Sequence, residues 1–180
     1  MPLRHDFFIM QLLHHEINND KRKFPIVLIC SEIRTPENIG MLFRIAEAFG
    51  VEKIYFHQDS PDANSKVVKR ISRDTVKNVP FEVYQNLLNV IDRYKKLDYL
   101  ILGLEITKTS EPIQKLELTR DSKVAILIGS ERNGLDDLIL SKCNKISHIP
   151  IYGENSSINV VNSTSIALYE ISNKLLSCNR

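Results

Sequence analysis

The chain has 180 residues, of which 43% are hydrophobic and 26% are charged, and its formal net charge is +2 at pH 7. This length and composition predict one ordinary globular domain and exclude a disordered or collagen-like chain. The small net charge does not by itself indicate a polyanionic partner, so any nucleic-acid contact must come from local clusters of basic residues.

The first residues of the chain mix apolar, histidine and acidic side chains, without the apolar core and cleavage site of a signal peptide. We predict an N-terminal helical extension over residues 1–23 and one domain over residues 24–180. Three distant cysteines without metal-ligand spacing indicate a reducing compartment and no metal site. No apolar run approaches the ~20 residues of a membrane span, so we expect a cytoplasmic protein without a membrane partner.

Short apolar runs alternate with segments of helical spacing or length. The runs predict strands at 25–30, 53–57, 80–84, 99–104, 123–129 and 146–151. The other segments predict helices at 37–49, 66–73, 86–96, 134–141 and 158–176. Several runs are apolar at successive positions, as in strands covered on both faces. The pattern therefore predicts an α/β fold with a mainly parallel sheet of about six strands and helices on both faces.

The first long helix has one apolar face. At about 100° per residue, one arc holds Ile39, Leu42, Phe43, Ala46 and Phe49, whereas Arg44 points nearly opposite. Gly50 suits a left-handed cap at the end of this helix. Arg44 is therefore not needed for the core that its own helix builds.

Glycine and polar residues gather where four predicted strands end. All glycines except Gly50 lie in or beside the ends of strands 25–30, 99–104, 123–129 and 146–151. Ligands of open parallel sheets bind beyond the carboxyl ends of the strands, where glycine lets the backbone approach a ligand closely. The chain contains no GxGxxG, P-loop or GxSxG sequence. The site instead suits a flat heterocycle, lined by Ile128, Gly129, Ile149, Ile151 and Ile158, with Ser157 and Asn159 beside it.

Three segments in this order carry a family resemblance. They read "NIGMLFRIAEAFG" at 38–50, "LIGSERNGL" at 127–135 and "IPIYGENSSINVVNSTSIALYE" at 149–170. Together they resemble the three motifs of the TrmH-type SPOUT RNA 2′-O-ribose methyltransferases, over roughly residues 24–176.

The resemblance implies a C-terminal trefoil knot, S-adenosylmethionine as cofactor, a homodimer, and methylation of a ribose 2′-hydroxyl in tRNA or rRNA. By motif position, the implied catalytic residues are Asn38, Arg44, Glu131, Ser157 and Asn159. The implied cofactor-binding residues are Leu104, Gly129, Ile149, Ile151 and Ile158. The resemblance further implies that this arginine reaches the cofactor of the other subunit, which would explain an outward-facing Arg44.

Each motif residue also has a plainer structural interpretation. Asn38 alone could cap the first long helix, and Glu131 could be an acid in the first turn of the helix that follows it. Ser157 and Asn159 could begin the last helix, and Arg44 could be a solvated charge. The ordered set favours catalysis. The alternative is a catalytically silent RNA-binding module of the same fold.

One segment is strongly basic and predicts phosphate contacts. Residues 66–77 carry five basic side chains against one acid, namely Lys66, Lys69, Arg70, Arg73 and Lys77. A charged run is usually only a solvated face, but beside the three motifs it becomes the best candidate for RNA binding. Residues 1–23 are too few for a separate RNA-binding domain, which slightly favours tRNA over rRNA.

Overall fold

The computed structural model describes Leu12 and residues 16–177, and the statements below concern that part of the chain. Most of the predicted N-terminal extension, residues 1–23, lies outside it. Residues 16–23, which are described, form no helix. Within the described residues no helix combines the length and the apolar character needed to cross a membrane.

Seven strands and five helices make up the fold. The strands are β1 (Ile26–Cys30), β2 (Lys53–His57), β3 (Phe81–Tyr84), β4 (Leu100–Leu104), β5 (Glu111–Pro112), β6 (Val124–Ile128) and β7 (Lys145–His148). The helices are α1 (Pro36–Ala48), α2 (Lys66–Ile71), α3 (Leu87–Lys96), α4 (Asp137–Leu140) and α5 (Val160–Ser177). Short 3₁₀ turns occupy Thr75–Lys77 and Ile113–Lys115.

The strands form one sheet in the order β3-β2-β1-β6-β4-β7-β5, and each neighbouring pair is parallel. The predicted α/β class with a mainly parallel sheet is therefore confirmed. The count of about six strands was wrong, because β5 has only two residues and a two-residue strand has no detectable periodicity.

Every residue of β1 is buried, and the strand contributes to a core on each face of the sheet. Ile26, Leu28 and Cys30 pack in the cluster that includes residues of α1 and α5. Val27 and Ile29 pack in the other cluster, with residues of α3. This alternation explains the continuous apolar run, because successive side chains of a strand point to opposite faces.

The start and end of α1 follow from local sequence. Thr35 is the N-cap, its side chain accepts the Asn38 N–H at 3.3 Å, and Pro36 stands in the first turn. The predicted apolar arc is buried at Ile39, Leu42, Phe43 and Ala46. Gly50 has φ +61, the left-handed conformation expected beyond the helix end.

Other boundaries differ from the prediction. The strand predicted at 146–151 ends at His148, so Ile149 and Ile151 belong to the following loop. The helix predicted at 134–141 starts only at Asp137. The helix predicted at 66–73 ends at Ile71.

Candidate active site

The first turn of α1 brings Asn38 to the carboxyl edge of the sheet. The chain leaves β1 at Cys30, and α1 begins at Pro36. Because Thr35 caps this helix, the plainer interpretation of Asn38 as the cap was wrong. The Asn38 side chain is therefore available for contacts outside its own helix.

A tight turn after β6 presents Glu131. Ser130 and Gly134 form an isolated antiparallel bridge with backbone hydrogen bonds of 3.1 Å in both directions, and Gly134 has φ +64. A Cβ on Gly129 would overlap the backbone of Gly134. Glu131 thus belongs to this turn and lies well before α4, which excludes the plainer interpretation as a first-turn acid.

At several of the positions where glycine was predicted to let a ligand approach closely, the glycine is also required by a neighbouring part of the protein itself. A Cβ on Gly40 would meet Ile71, and one on Gly103 would meet the Cys143 sulfur at 2.9 Å. At Gly134 it would collide with the Glu105 carboxylate. At these positions the missing side chain lets another part of the protein come close. The position of a glycine in the sequence does not tell whether its close neighbour is the protein or a ligand.

Glu131, Asn38 and Asn159 form one hydrogen-bonded relay. Glu131 accepts the Arg34 N–H at 3.0 Å, the Thr35 hydroxyl at 3.1 Å and the Asn38 Nδ2 at 2.6 Å. Asn159 donates its Nδ2 to Asn38 Oδ1 at 3.3 Å. The relay joins the loop after β1, the turn after β6 and the residue that precedes α5.

Asn159 also supports its own helix. Its Oδ1 accepts the Val161 N–H at 2.8 Å, one of the backbone donors left free at the start of α5. The plainer interpretation of Asn159 as a residue that begins the last helix is therefore correct as well, and the same side chain serves both contacts.

The relay keeps Glu131 ionised. Desolvation acts to raise the pKa of this carboxyl, but hydrogen bonds from the Arg34 N–H, from Asn38 and from Thr35 together hold the pKa below its ordinary value. An ionised carboxylate only accepts hydrogen bonds, so it attracts donors on both of its oxygens.

Two adjoining hollows lie beside the relay, with volumes of about 520 Å³ and about 100 Å³. Both are lined by Leu104, Glu105, Ser157, Ile158 and Ser163. The larger hollow adds Gly129 and the turn from Ser130 to Gly134, and the smaller adds His148, Ile149 and Ile151. All five residues predicted to bind a cofactor thus line one hollow or both.

Four of the five predicted catalytic residues surround this region. Asn38, Glu131 and Asn159 are joined by the relay, and Ser157 is an exposed residue on the wall of both hollows. Arg44 lines neither hollow. It lies six residues beyond Asn38 on α1, about 9 Å along the helix axis, and its Nη1 is 3.7 Å from the Met41 sulfur.

The predicted RNA-binding residues lie on α2 and the segment that follows it. All five, Lys66, Lys69, Arg70, Arg73 and Lys77, are exposed, and Lys77 pairs with Asp74 at 3.5 Å. The opposite side of α2 buries Val68 and packs against α1. We call these five side chains the basic surface.

Sequence reasoning missed two residues that shape the site. Thr35 donates to Glu131 while capping α1, and a threonine directly before proline was a readable signal for such a cap. Glu105 lines both hollows. Its position directly after the strand predicted at 99–104 was the one signal that could have found it.

One further group of polar side chains bears on the prediction that the chain holds no metal. Glu32, His57 and Asp59 bring potential ligand atoms within 4.8 Å of one another. Glu32 pairs with Arg34 at 2.9 Å, and His57 Nδ1 accepts the Asp59 N–H at 3.3 Å. Glu32 and His57 therefore already have partners within the protein. The absence of a metal stays a prediction.

Comparisons with known proteins identify the family of this chain. RlmB of Coxiella burnetii, a 23S rRNA (guanosine-2′-O-)-methyltransferase, is 33% identical over 152 residues, which are 84% of this chain and 60% of the relative. The chain thus spans about three fifths of the length of this relative.

Solved structures share the fold. An AdoMet-bound rRNA methyltransferase from Sinorhizobium meliloti matches with a TM-score of 0.78 and 23% identity over 87% of this chain and 59% of the other. The A. aeolicus TrmH/SpoU tRNA modifying enzyme matches with a TM-score of 0.76 and 22% identity, over 86% and 77% of the two chains. Residues 25–169 match the SpoU rRNA Methylase family. The chain therefore belongs to the SpoU rRNA methylase family.

Proposed function

We propose that this protein is an enzyme that transfers a methyl group from S-adenosylmethionine to a ribose 2′-hydroxyl of RNA. The observation that carries the proposal is the relay of Glu131, Asn38 and Asn159 beside the paired hollows. Family membership supports the same chemistry, because RlmB carries that activity in its name.

The hollows fit such a cofactor in size and chemistry. The larger, about 520 Å³, falls within the roughly 300–1,000 Å³ of small-molecule sites. Leu104, Ile149, Ile151 and Ile158 offer apolar surface to an adenine ring, while the turn at Ser130 and the Ser157 hydroxyl offer polar contacts. When bound, S-adenosylmethionine supplies an electrophilic methyl group on a sulfonium.

The chain's own residues have the task of holding the ribose and easing the loss of its hydroxyl proton. A guanidinium stays protonated in proteins, so Arg44 is a poor proton acceptor. We assign Arg44 to clamp a neighbouring phosphate and to stabilise the developing oxyanion electrostatically. Ser157 and Asn159 hold the ribose, and Glu131 fixes Asn38 and Asn159 in position.

The proposal includes a homodimer in which Arg44 acts at the hollow of the partner subunit. Its place outside the hollows of its own chain motivates this assignment. An exposed apolar stripe on α5, formed by Ile166, Tyr169 and Leu176, is the surface we assign to the interface. We also propose the C-terminal trefoil knot and a cytoplasmic location.

The substrate we propose is tRNA or rRNA, contacted by the basic surface. Its five exposed cations suit phosphate binding, because phosphate contacts supply most sequence-independent affinity. A catalytically silent RNA-binding module remains the alternative. The intact relay disfavours it, because RNA binding alone does not require an ionised carboxylate that orients two amides.

The decisive experiment measures methyl transfer from labelled cofactor to fractionated tRNA and rRNA. We expect label at ribose 2′-oxygens for the wild type and loss of turnover, by at least about 100-fold, for Arg44→Ala, because electrostatic groups of this kind contribute about 10²–10³-fold. Arg120→Ala, at an exposed arginine that lines neither hollow, serves as the matched control.

Each result has a distinct meaning. Retained turnover in Arg44→Ala would refute the role of this arginine. Failure of the wild type to bind S-adenosylhomocysteine in calorimetry, together with salt-dependent RNA binding, would favour the silent module.

A further inference from the structure

Glu105 occupies a central position in the paired hollows. It follows β4 directly and lines both cavities. In the smaller hollow it is the only acid among the lining residues, which are otherwise apolar, hydroxyl or histidine side chains. A half-buried carboxylate in such a place requires a structural or a ligand-binding explanation.

The structure holds this carboxylate in one orientation. Its Oε1 accepts the Ile106 N–H at 3.0 Å, and its Oε2 accepts the Leu135 N–H at 2.9 Å. Gly134 makes room for it, since a side chain at that residue would collide with Oε2. Each carboxylate oxygen accepts about two hydrogen bonds, so one acceptor position on each oxygen is left for a ligand.

Two acceptors at a fixed spacing suit a vicinal diol. An acid near the carboxyl end of a parallel strand is a recurrent partner of ribose hydroxyls in nucleotide-binding α/β folds. A contact with the sulfonium is chemically unfavourable. A carboxylate there would stabilise the cation more in the ground state than in the transition state, where the positive charge disperses, and so would slow the reaction.

We propose that Glu105 binds the cofactor ribose, its two oxygens accepting hydrogen bonds from the 2′- and 3′-hydroxyls. The same carboxylate ties the turn that carries Glu131 to the end of β4, through Leu135. Cofactor binding and placement of the relay therefore share one side chain. This inference rests on the proposed function, because it requires the methyl donor to occupy the hollows.

The test is calorimetric titration with S-adenosylhomocysteine and with its 2′-deoxy and 3′-deoxy analogues. We expect the wild type to lose about 10- to 100-fold in affinity when a hydroxyl is removed, as for a hydrogen bond to a charged acceptor. Glu105→Gln should bind the parent ligand more weakly and should discriminate much less between parent and deoxy ligands. That loss of discrimination separates a direct contact from a merely structural role.

Asp136→Asn is the matched control. It removes one negative charge just beyond the same turn, lines neither hollow, and keeps an oxygen able to accept the Ile139 N–H at the start of α4. We expect wild-type affinities for all three ligands.

The outcomes distinguish the two proposals. If the wild type binds no S-adenosylhomocysteine, the proposed function fails. If it binds that ligand and both deoxy analogues equally well, or if Glu105→Gln discriminates as strongly as the wild type, the ribose contact is overturned. If the variant does not fold, equal binding of the parent ligand and both deoxy analogues by the wild type still overturns the ribose contact.

Discussion

At the scale of single residues, the charge of Glu131 sets the direction of two amide side chains. An ionised carboxylate only accepts hydrogen bonds, so Asn38 must turn its Nδ2 toward Glu131 and its Oδ1 toward Asn159. Asn159 must then present its own Nδ2 to Asn38, which leaves its oxygen for the Val161 N–H. The single charge of Glu131 thus fixes which way the oxygen and nitrogen of each amide group point, a choice that an isolated asparagine leaves open.

This relay predicts a pH-dependent contribution to stability. Because the folded pKa of Glu131 lies below its ordinary value near 4.5, its stabilising effect is present above that value and is lost as the pH falls through the folded pKa. The effect should stay below about 1 kcal/mol, because the side chain is largely exposed and solvent screens it.

Urea unfolding of the wild type and of Glu131→Gln at pH 7 and between pH 5 and 3 measures this contribution. We expect the variant to be less stable at pH 7 and the difference to shrink on acidification. Glu154→Gln, at an exposed loop acid, is the control for a general charge effect. A difference that stays constant down to pH 3 would contradict the assignment.

The motif positions identified Asn38, Glu131 and Asn159, but the hydrogen bonds between them could not be predicted. Asn38 and Glu131 are separated by 93 positions, and Asn38 and Asn159 by 121. Their contact depends on how three loops lie relative to one another, which local propensity does not determine. The hydrogen bond of Glu105 was missed for the same reason, since its partner Leu135 is 30 positions away.

At the scale of elements, α1 is the part that the sequence described best. The angular calculation predicted its buried face, because amphipathic spacing over 13 residues is a strong signal. The same calculation could not predict that the end of α2 packs closely against Gly40. A Cβ at Gly40 would lie 2.7 Å and 2.8 Å from the Cγ2 and Cβ atoms of Ile71 and 3.2 Å from the Ser72 nitrogen. This glycine therefore sets the distance between the two helices.

Replacing Gly40 by alanine tests that contact. Alanine favours a helix over glycine by about 1 kcal/mol, while overpacking costs about 1–3 kcal/mol. Because the Ser72 backbone is crowded along with the Ile71 side chain, we expect the second effect to prevail and Gly40→Ala to destabilise the protein by about 1 kcal/mol.

Thermal or urea unfolding gives the measurement, with Gly153→Ala as control. A Cβ at Gly153 would meet nothing within 4 Å, so that variant should stay within about 0.5 kcal/mol of the wild type. A Gly40→Ala protein more stable than the wild type would show that α2 moves away without cost.

At the scale of the whole molecule, the net charge is only +2, but the basic side chains are unevenly distributed over the surface. The basic surface lies on α2 and the segment that follows it, and α2 packs against α1, while α3 covers the opposite face of the sheet. Affinity for RNA through this surface should depend on salt, because each phosphate contact releases bound counterions.

We predict that the double variant Lys69→Gln/Arg73→Gln weakens tRNA and rRNA binding. It should lower the slope of log affinity against log salt concentration by about 2, at about 1 for each lost phosphate contact. Fluorescence titration at several salt concentrations provides the slope. The same substitutions at Lys95 and Lys96, two exposed lysines of α3, should leave the slope nearly unchanged. Equal effects of both pairs would mean that binding follows total charge only.

The strand order has a consequence for synthesis of the chain. β6 lies between β1 and β4, and its Val124 pairs with Ile26 and with Leu100. A ribosome that has completed only the first hundred residues has therefore produced a strongly apolar β1 with one unpaired edge. Such an edge is prone to aggregation, and pairing over so long a stretch of chain is slow. Nascent chains stalled before residue 124 should thus need chaperones far more than chains stalled beyond residue 128.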